Sequence, residues 1–294
     1  MEMTMQLLAR QASACLVESR PAVLGVVLLR FLATALPGPA LNPVLSPGVA
    51  VAAAGWICAT MSIYIFNGIA DRKEDIANAS TRPIASGRLP VRTARTAVVA
   101  SAVISMLCAL QGGTAAVVLS FAYLMLGFAY SGPPFPLKQT YYTCTGAGAG
   151  LGLATYAAGL LANSQHPGIG PTIVAGTMTL WMGCVGSIAK EFSDVDGDRA
   201  AGRCTWPMVL GDMGAKALLT AIAGAIAVGL TVASALCAPQ LIWCALTVIL
   251  GAIGVTVTSR EAVPGRPRKV RRRPYHAFMV TQIATHLVLL AIIL

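Results

Sequence analysis

The amino-acid sequence predicts an all-α membrane protein, a bundle of nine transmembrane helices with a cytoplasmic cap. Three observations lead there. The 294 residues are 56% hydrophobic and 11% charged, with a mean hydropathy of +0.72, beyond what a water-soluble domain tolerates. The apolar residues gather into nine runs of roughly 17–25 residues, the length a helix needs to cross a bilayer. Nearly every charged residue falls in the N-terminus or in alternate linkers between those runs. Aromatic residues are sparse at 6% and no alternating strand-length segments occur, which disfavours a membrane barrel.

Along the chain, the first twenty residues are polar-mixed and lack the apolar core and small-residue cleavage site of a signal peptide. The first span begins near Pro21 and carries Arg30 about ten residues in, where an arginine is costly and a functional candidate. An uncharged linker, "LPGPALNPVLSPG", leads to the second span at Pro47, which ends in "FNGIADRKED". Spans three and four begin near Arg95 and Thr114. The fifth begins near Thr143, and its glycines (Gly146 to Gly159) suit close helix approach. After the uncharged "ANSQHPGIGP", the sixth begins near Thr172 and ends in "AKEFSDVDGDR". The seventh, eighth and ninth begin near Ala215, Gln240 and His276.

The linkers between spans 1 and 2, 3 and 4, 5 and 6, and 7 and 8 hold no charge, so all charged linkers share one side. Their Lys and Arg excess marks that side, with the N-terminus, as cytoplasmic. The formal net charge of +10 is therefore a topology signal rather than a nucleic-acid footprint. "RPRKVRRR" (Arg266 to Arg273) is the densest basic run. It suits contact with anionic membrane lipid, or attraction of an anionic substrate to that face. The expected organisation is one domain over 1–294, with two four-helix halves at 21–130 and 143–259 and a ninth helix at 276–294. The eight cysteines show no metal spacing and suit small apolar packing positions. His166, His276 and His286 lie far from the acid motifs in sequence and are expected in packing or interface roles; Ser164 is expected in a loop.

The chemistry sits in two acidic helix ends. Asn67, Asp71 and Asp75 are four apart, as are Asp194 and Asp198, and that spacing stacks side chains on one helix face. Such carboxylates facing each other across a bundle require a cation. An all-oxygen set favours a hard ion, Mg²⁺ before zinc, and Mg²⁺ usually bridges carboxylates to phosphate. Lys138, Arg72, Arg82, Lys190 and Arg199 on the same side would complete a phosphate clamp, and Arg30 would reach it from the bundle interior. Glu74, Asp196, Asp212 and Glu261 have no partner at this spacing and are expected as solvated charges.

"NGIADRKED" and "DVDGD" fit NxxxDxxxD and DxxxD, and together they resemble the two Asp-rich motifs of the UbiA superfamily of intramembrane prenyltransferases. "RPIASGR" (Arg82 to Arg88) is similar to the RPxxSG after the family's first motif. "YSGPPFPLK" (Tyr130 to Lys138) is similar to the YSxPPxxLK of the branch holding chlorophyll synthase and homogentisate prenyltransferases. "GDRAAGRCTWPMVLG" is similar to GDxxxGxxTLPxxxG. The resemblance covers all but the termini. Gly68 stands where many members have an acid, Glu191 where an Asp is common and Trp206 where a Leu is common.

The resemblance implies an isoprenyl diphosphate held through Mg²⁺ by Asn67, Asp71, Asp75, Asp194 and Asp198, with Lys138 and Tyr130 at the diphosphate. It also implies an apolar tunnel open to lipid and an apolar or aromatic acceptor. The same ionisation could instead feed internal cyclisation, as in terpene cyclases related to the family. A transporter is disfavoured, because the acids cluster at one face rather than at the midplane.

Overall fold

The computed structural model describes residues 2–36, 46–77, 80–163 and 168–294. His166, Ser164 and most of the linker before Pro47 lie outside these. Among the described residues the chain is helical, with no strand and one isolated bridge between Thr140 and Cys204. The helices are α1 (Glu2–Glu18), α2 (Pro21–Ala35), α3 (Pro47–Ala70), α4 (Arg72–Ala77), α5 (Val91–Leu110), α6 (Gly113–Ser131), α7 (Tyr141–Ala162), α8 (Ile169–Leu180), α9 (Ser187–Ala200), α10 (Trp206–Cys237), α11 (Ile242–Glu261), α12 (Arg268–Arg271) and α13 (Arg273–Ile293).

Among the described residues eight stretches are long and apolar enough to cross a membrane, which makes this a multi-pass integral membrane protein. The expected count of nine differs at the first span. α2 has 15 residues, about 22 Å of helix at 1.5 Å per residue. It reaches crossing length only if joined to Ala9–Glu18 across a 67° bend. Pro21 has no N–H to continue α1, and Arg20 takes a left-handed backbone (φ 60°) between the two helices.

Sequence signals set the other boundaries. Ser46 caps α3, accepting the Val49 N–H at 3.2 Å, and Pro47 occupies the first turn. Pro207 opens α10, and Gly211 at φ 70° kinks it. α8 and α9 form one span through a wide π turn at Trp181–Gly186. A Cβ at Gly183 would come within 2.8 Å of the Ala149 Cβ, so glycine sets the approach of that turn to α7. A Cβ at Gly159 would collide with the Phe31 carbonyl on α2.

One apolar core joins α2, α3, α6 and α7 around Phe31, Trp56, Ile63, Tyr123 and Leu124. A second, around Trp181, Met178, Leu219, Val248 and Leu289, joins α8 to α11 and α13. A third packs Cys15 of α1 with Ile65, Ile84, Leu89 and Ala94 beside the charged end. Large apolar side chains such as Val103, Leu107, Phe121, Leu236 and Leu250 face outward, the pattern of a bundle solvated by lipid tails. The charged linkers converge at one end. There Arg82 pairs with Glu18, Arg203 with Glu74, Arg268 with Asp194 and Arg271 with Asp196.

Candidate active site

At the charged end a cavity of about 540 Å³ opens between the two acidic helix ends. The first acidic face survives the break between α3 and α4. The Asp71 N–H donates to the Asn67 carbonyl and the Asp75 N–H to the Asp71 carbonyl, both at 2.8 Å, so the four-residue register continues. Asp194 and Asp198 lie one turn apart on α9.

The cavity is lined by the carboxylates of Asp71, Glu74, Asp75, Asp194 and Asp198 and by the cations of Arg20, Arg82, Lys190, Arg203, Arg268 and Arg272. Tyr275 and His276 contribute to the wall; Val23, Met279 and Ile283 supply apolar lining from α2 and α13. The acids are individually engaged. Lys138 contacts Asp71, Arg82 lies 2.8 Å from Asp75, and Arg268 lies 2.8 Å from Asp194. Arg203 spans the two clusters, 2.7 Å from Asp198, 3.8 Å from Asp71 and in contact with Glu74.

Of the residues expected at the site, Asp71, Asp75, Asp194, Asp198, Arg82 and Lys190 share this cavity. Asn67 lies beside it, its amide donating to Asp71 at 2.9 Å and to Ser131 at 2.6 Å. Lys138 is buried behind Asp71. Tyr130 forms a 3.3 Å hydrogen bond with the Cys144 thiol. Arg72 and Arg199 are exposed and absent from the lining. Arg30 is buried at 3% exposure in the bundle interior, its Nη1 donating to the Met182 thioether at 2.7 Å.

Sequence spacing missed several participants. Glu74, expected as a solvated charge, faces the cavity beside Arg203, and His276 lines the wall rather than a packing interface. Arg203 and Arg268 had weak signals, one inside the "GDRAAGRCTWPMVLG" stretch and the other inside the basic run. Glu18, fully buried on α1, had none. Two departures from the family pattern gain a physical account. A Cβ at Gly68 would collide with the Glu18 carboxylate, so an acid occupies that space from another helix. The longer Glu191 accepts the Trp206 N–H at 2.8 Å at the start of α10. Trp206 itself packs on Tyr141, with ring centroids 4.4 Å apart, and does not line the cavity.

Outside the spans, burial is the main influence on Glu74 and raises it above the usual carboxylate range, with Arg203 opposing. Burial likewise lowers Arg82, with Arg20 next. The acidic donors suit a hard divalent cation: all are oxygens, from helix ends facing one space, with no thiolate in the lining and a single imidazole, His276, on its wall. Among the described residues, no three His, Cys, Asp or Glu side chains are already gathered to metal-binding distance.

The family model described as the UbiA prenyltransferase family matches residues 23–281. A curated relative from Humulus lupulus, 2-acyl-4-prenylphloroglucinol 6-prenyltransferase, chloroplastic, is 31% identical over 160 residues, 51% of this chain and 39% of that protein. The match thus spans about two fifths of the relative's own length. A UbiA homolog from Archaeoglobus fulgidus, solved with GPP and Mg²⁺, superposes with a TM-score of 0.68 at 16% identity, covering 95% of this chain and 99% of that one. An apo UbiA homolog from Aeropyrum pernix K1 gives a TM-score of 0.68 at 21% identity, covering 93% and 97%.

Proposed function

The chain belongs to the UbiA prenyltransferase family, and on that premise we propose that it transfers an isoprenyl group from an isoprenyl diphosphate to an apolar, aromatic acceptor, with Mg²⁺ as cofactor. The observation that carries this reading is the meeting of two acidic helix ends in one cavity that also holds six cationic side chains. The fold neighbours from Archaeoglobus fulgidus were solved with Mg²⁺ and GPP or DMAPP, and the hop relative is named for prenylation of an acylphloroglucinol. Both support the reading.

In this proposal Asn67, Asp71, Asp75, Asp194 and Asp198 hold the metal. A metal held by these residues would supply positive charge against the charge growing on the leaving diphosphate as the allylic C–O bond breaks. Arg82, Lys190 and Arg268 face the same anion, and Lys138 with Tyr130 supports it from behind Asp71. Arg72 and Arg199, exposed nearby, attract the anion towards the mouth. The apolar lining of Val23, Met279 and Ile283 marks where the isoprenyl chain leaves the polar zone. Linkers over the charged end form a cap that keeps water from the carbocation. α1 and α2 together supply the ninth span. The charged end faces the cytoplasm, following the Lys and Arg excess, and the basic run from Arg266 to Arg273 borders anionic membrane lipid.

The experiment is release of inorganic diphosphate from geranyl, farnesyl and geranylgeranyl diphosphates by detergent-purified protein, with and without Mg²⁺ and an aromatic acceptor panel. Metal-dependent release lost in Asp71→Ala and Asp194→Ala supports the reading. Release of a cyclised terpene without acceptor would replace transfer by cyclisation. No release with any acceptor, from folded protein, would overturn it.

A further inference from the structure

Arg203 lines the cavity with its side chain only 9% exposed. One nitrogen is 2.7 Å from Asp198, and the other contacts Glu74 and lies 3.8 Å from Asp71. It is the side chain that ties the first acidic helix end to the second. A planar guanidinium suits this task, since its donors fork towards several carboxylates at once. The lone pair it occupies on Asp198 is one a metal would need, and at 3.8 Å its charge also lies beside Asp71.

Two further observations bear on what displaces it. The six cations and five carboxylates of the lining leave one positive charge in excess. A bare divalent cation would raise that excess to about three, whereas a magnesium diphosphate complex of net charge about −1 would cancel it. In addition, the Nε–H groups of Arg203, Arg82 and Arg268 are buried without an acceptor. Guanidinium groups with donors left unpaired are not yet fully satisfied by the carboxylates they hold.

We propose that Arg203 is a built-in counter-ion that bars metal alone and transfers from the carboxylates to an incoming diphosphate, so that metal and diphosphate bind as one unit. This deepens the reading of the cavity as a metal–diphosphate site and rests on it. The guanidinium leaves Asp198 and Glu74 only when phosphate oxygens take their place as its anionic acceptors. Asp198 is then released to the metal in the same event, and the positive charge beside Asp71 moves away. Departure of diphosphate reverses the exchange, so metal is lost with the product.

The test uses the full chain in detergent. Binding of Mn²⁺ alone is followed by loss of the free-ion paramagnetic resonance signal. Thermal stability is then compared with Mg²⁺, inorganic diphosphate, or both. Wild type should leave Mn²⁺ free and gain stability only with both ligands. Arg203→Gln should bind Mn²⁺ alone at least about tenfold more tightly and lose most of the joint stabilisation. Arg203→Lys, which keeps the charge without the fork, should fall between them. Equal Mn²⁺ binding by wild type and Arg203→Gln would overturn the counter-ion role while leaving the metal–diphosphate site standing. Wild type binding Mn²⁺ tightly without diphosphate would overturn it without any variant. If neither protein responds to metal and diphosphate together, the site reading fails and this inference fails with it.

Discussion

Glu18 and Arg82 form a buried ion pair 2.6 Å apart, and the carboxylate lies where a side chain at position 68 would project. Glu18 also accepts the Ile84 N–H at 2.9 Å, so one residue of α1 fixes the loop that presents Arg82 to Asp75. The absence of an acid at Gly68 is thus matched by an acid delivered from elsewhere in the chain.

Gly68→Ala should therefore destabilise by about 1–3 kcal/mol through overpacking against Glu18. Glu18→Ala alone leaves Arg82 short of a carboxylate in a buried site, which costs about 3–5 kcal/mol. The double variant Glu18→Ala with Gly68→Asp should recover part of the loss. Thermal melting of wild type, Glu18→Ala, Gly68→Asp and the double variant closes the cycle, and additive losses would show that the two positions do not share this space.

Asp71→Asn and Asp198→Asn preserve size and remove charge from opposite sides of the cavity. Each should lower kcat for diphosphate release by roughly 10²–10³, the range for losing one group that acts on developing charge. Steady-state kinetics would check this, and a loss confined to KM would place these residues in ground-state binding instead.

Lys138→Met should lower thermal stability, since burial leaves Asp71 facing an apolar chain. Arg72→Ala and Arg199→Ala, at exposed positions, should leave melting unchanged. Their effect should be a rise in KM of no more than about threefold that disappears at high salt. Melting curves and salt-dependent kinetics separate the two classes.

The Tyr156 hydroxyl and His286 Nε2 lie 2.7 Å apart in the bundle core, and the His286 Nδ1–H donates to the Gln282 carbonyl. That fixes the tautomer, so Tyr156 is the donor to Nε2. Tyr156→Phe should cost about 1–3 kcal/mol by leaving a buried acceptor unpaired. KM for the diphosphate should stay unchanged, because neither residue lines the cavity. A changed KM with unaltered melting would move this pair into the substrate path.

The sequence by itself determined the membrane class, the alternation of charged and uncharged linkers, and the two acidic faces. Each is a local property: helix length follows from an uninterrupted apolar run, and a four-residue spacing fixes a face whatever the surrounding fold. Even the break between α3 and α4 did not alter the register of Asn67, Asp71 and Asp75, because the backbone hydrogen bonds continue through it. Only the tertiary structure decided which cation meets which acid. Arg203 reaches Glu74 across 129 positions, Arg268 reaches Asp194 across 74, and Glu18 fills the space beside Gly68. No periodicity encodes such pairings, because they depend on how helix ends are brought together by packing far from the charges. The bend before Pro21 belongs with them: proline marks the break, but the angle is set by what α1 and α2 pack against.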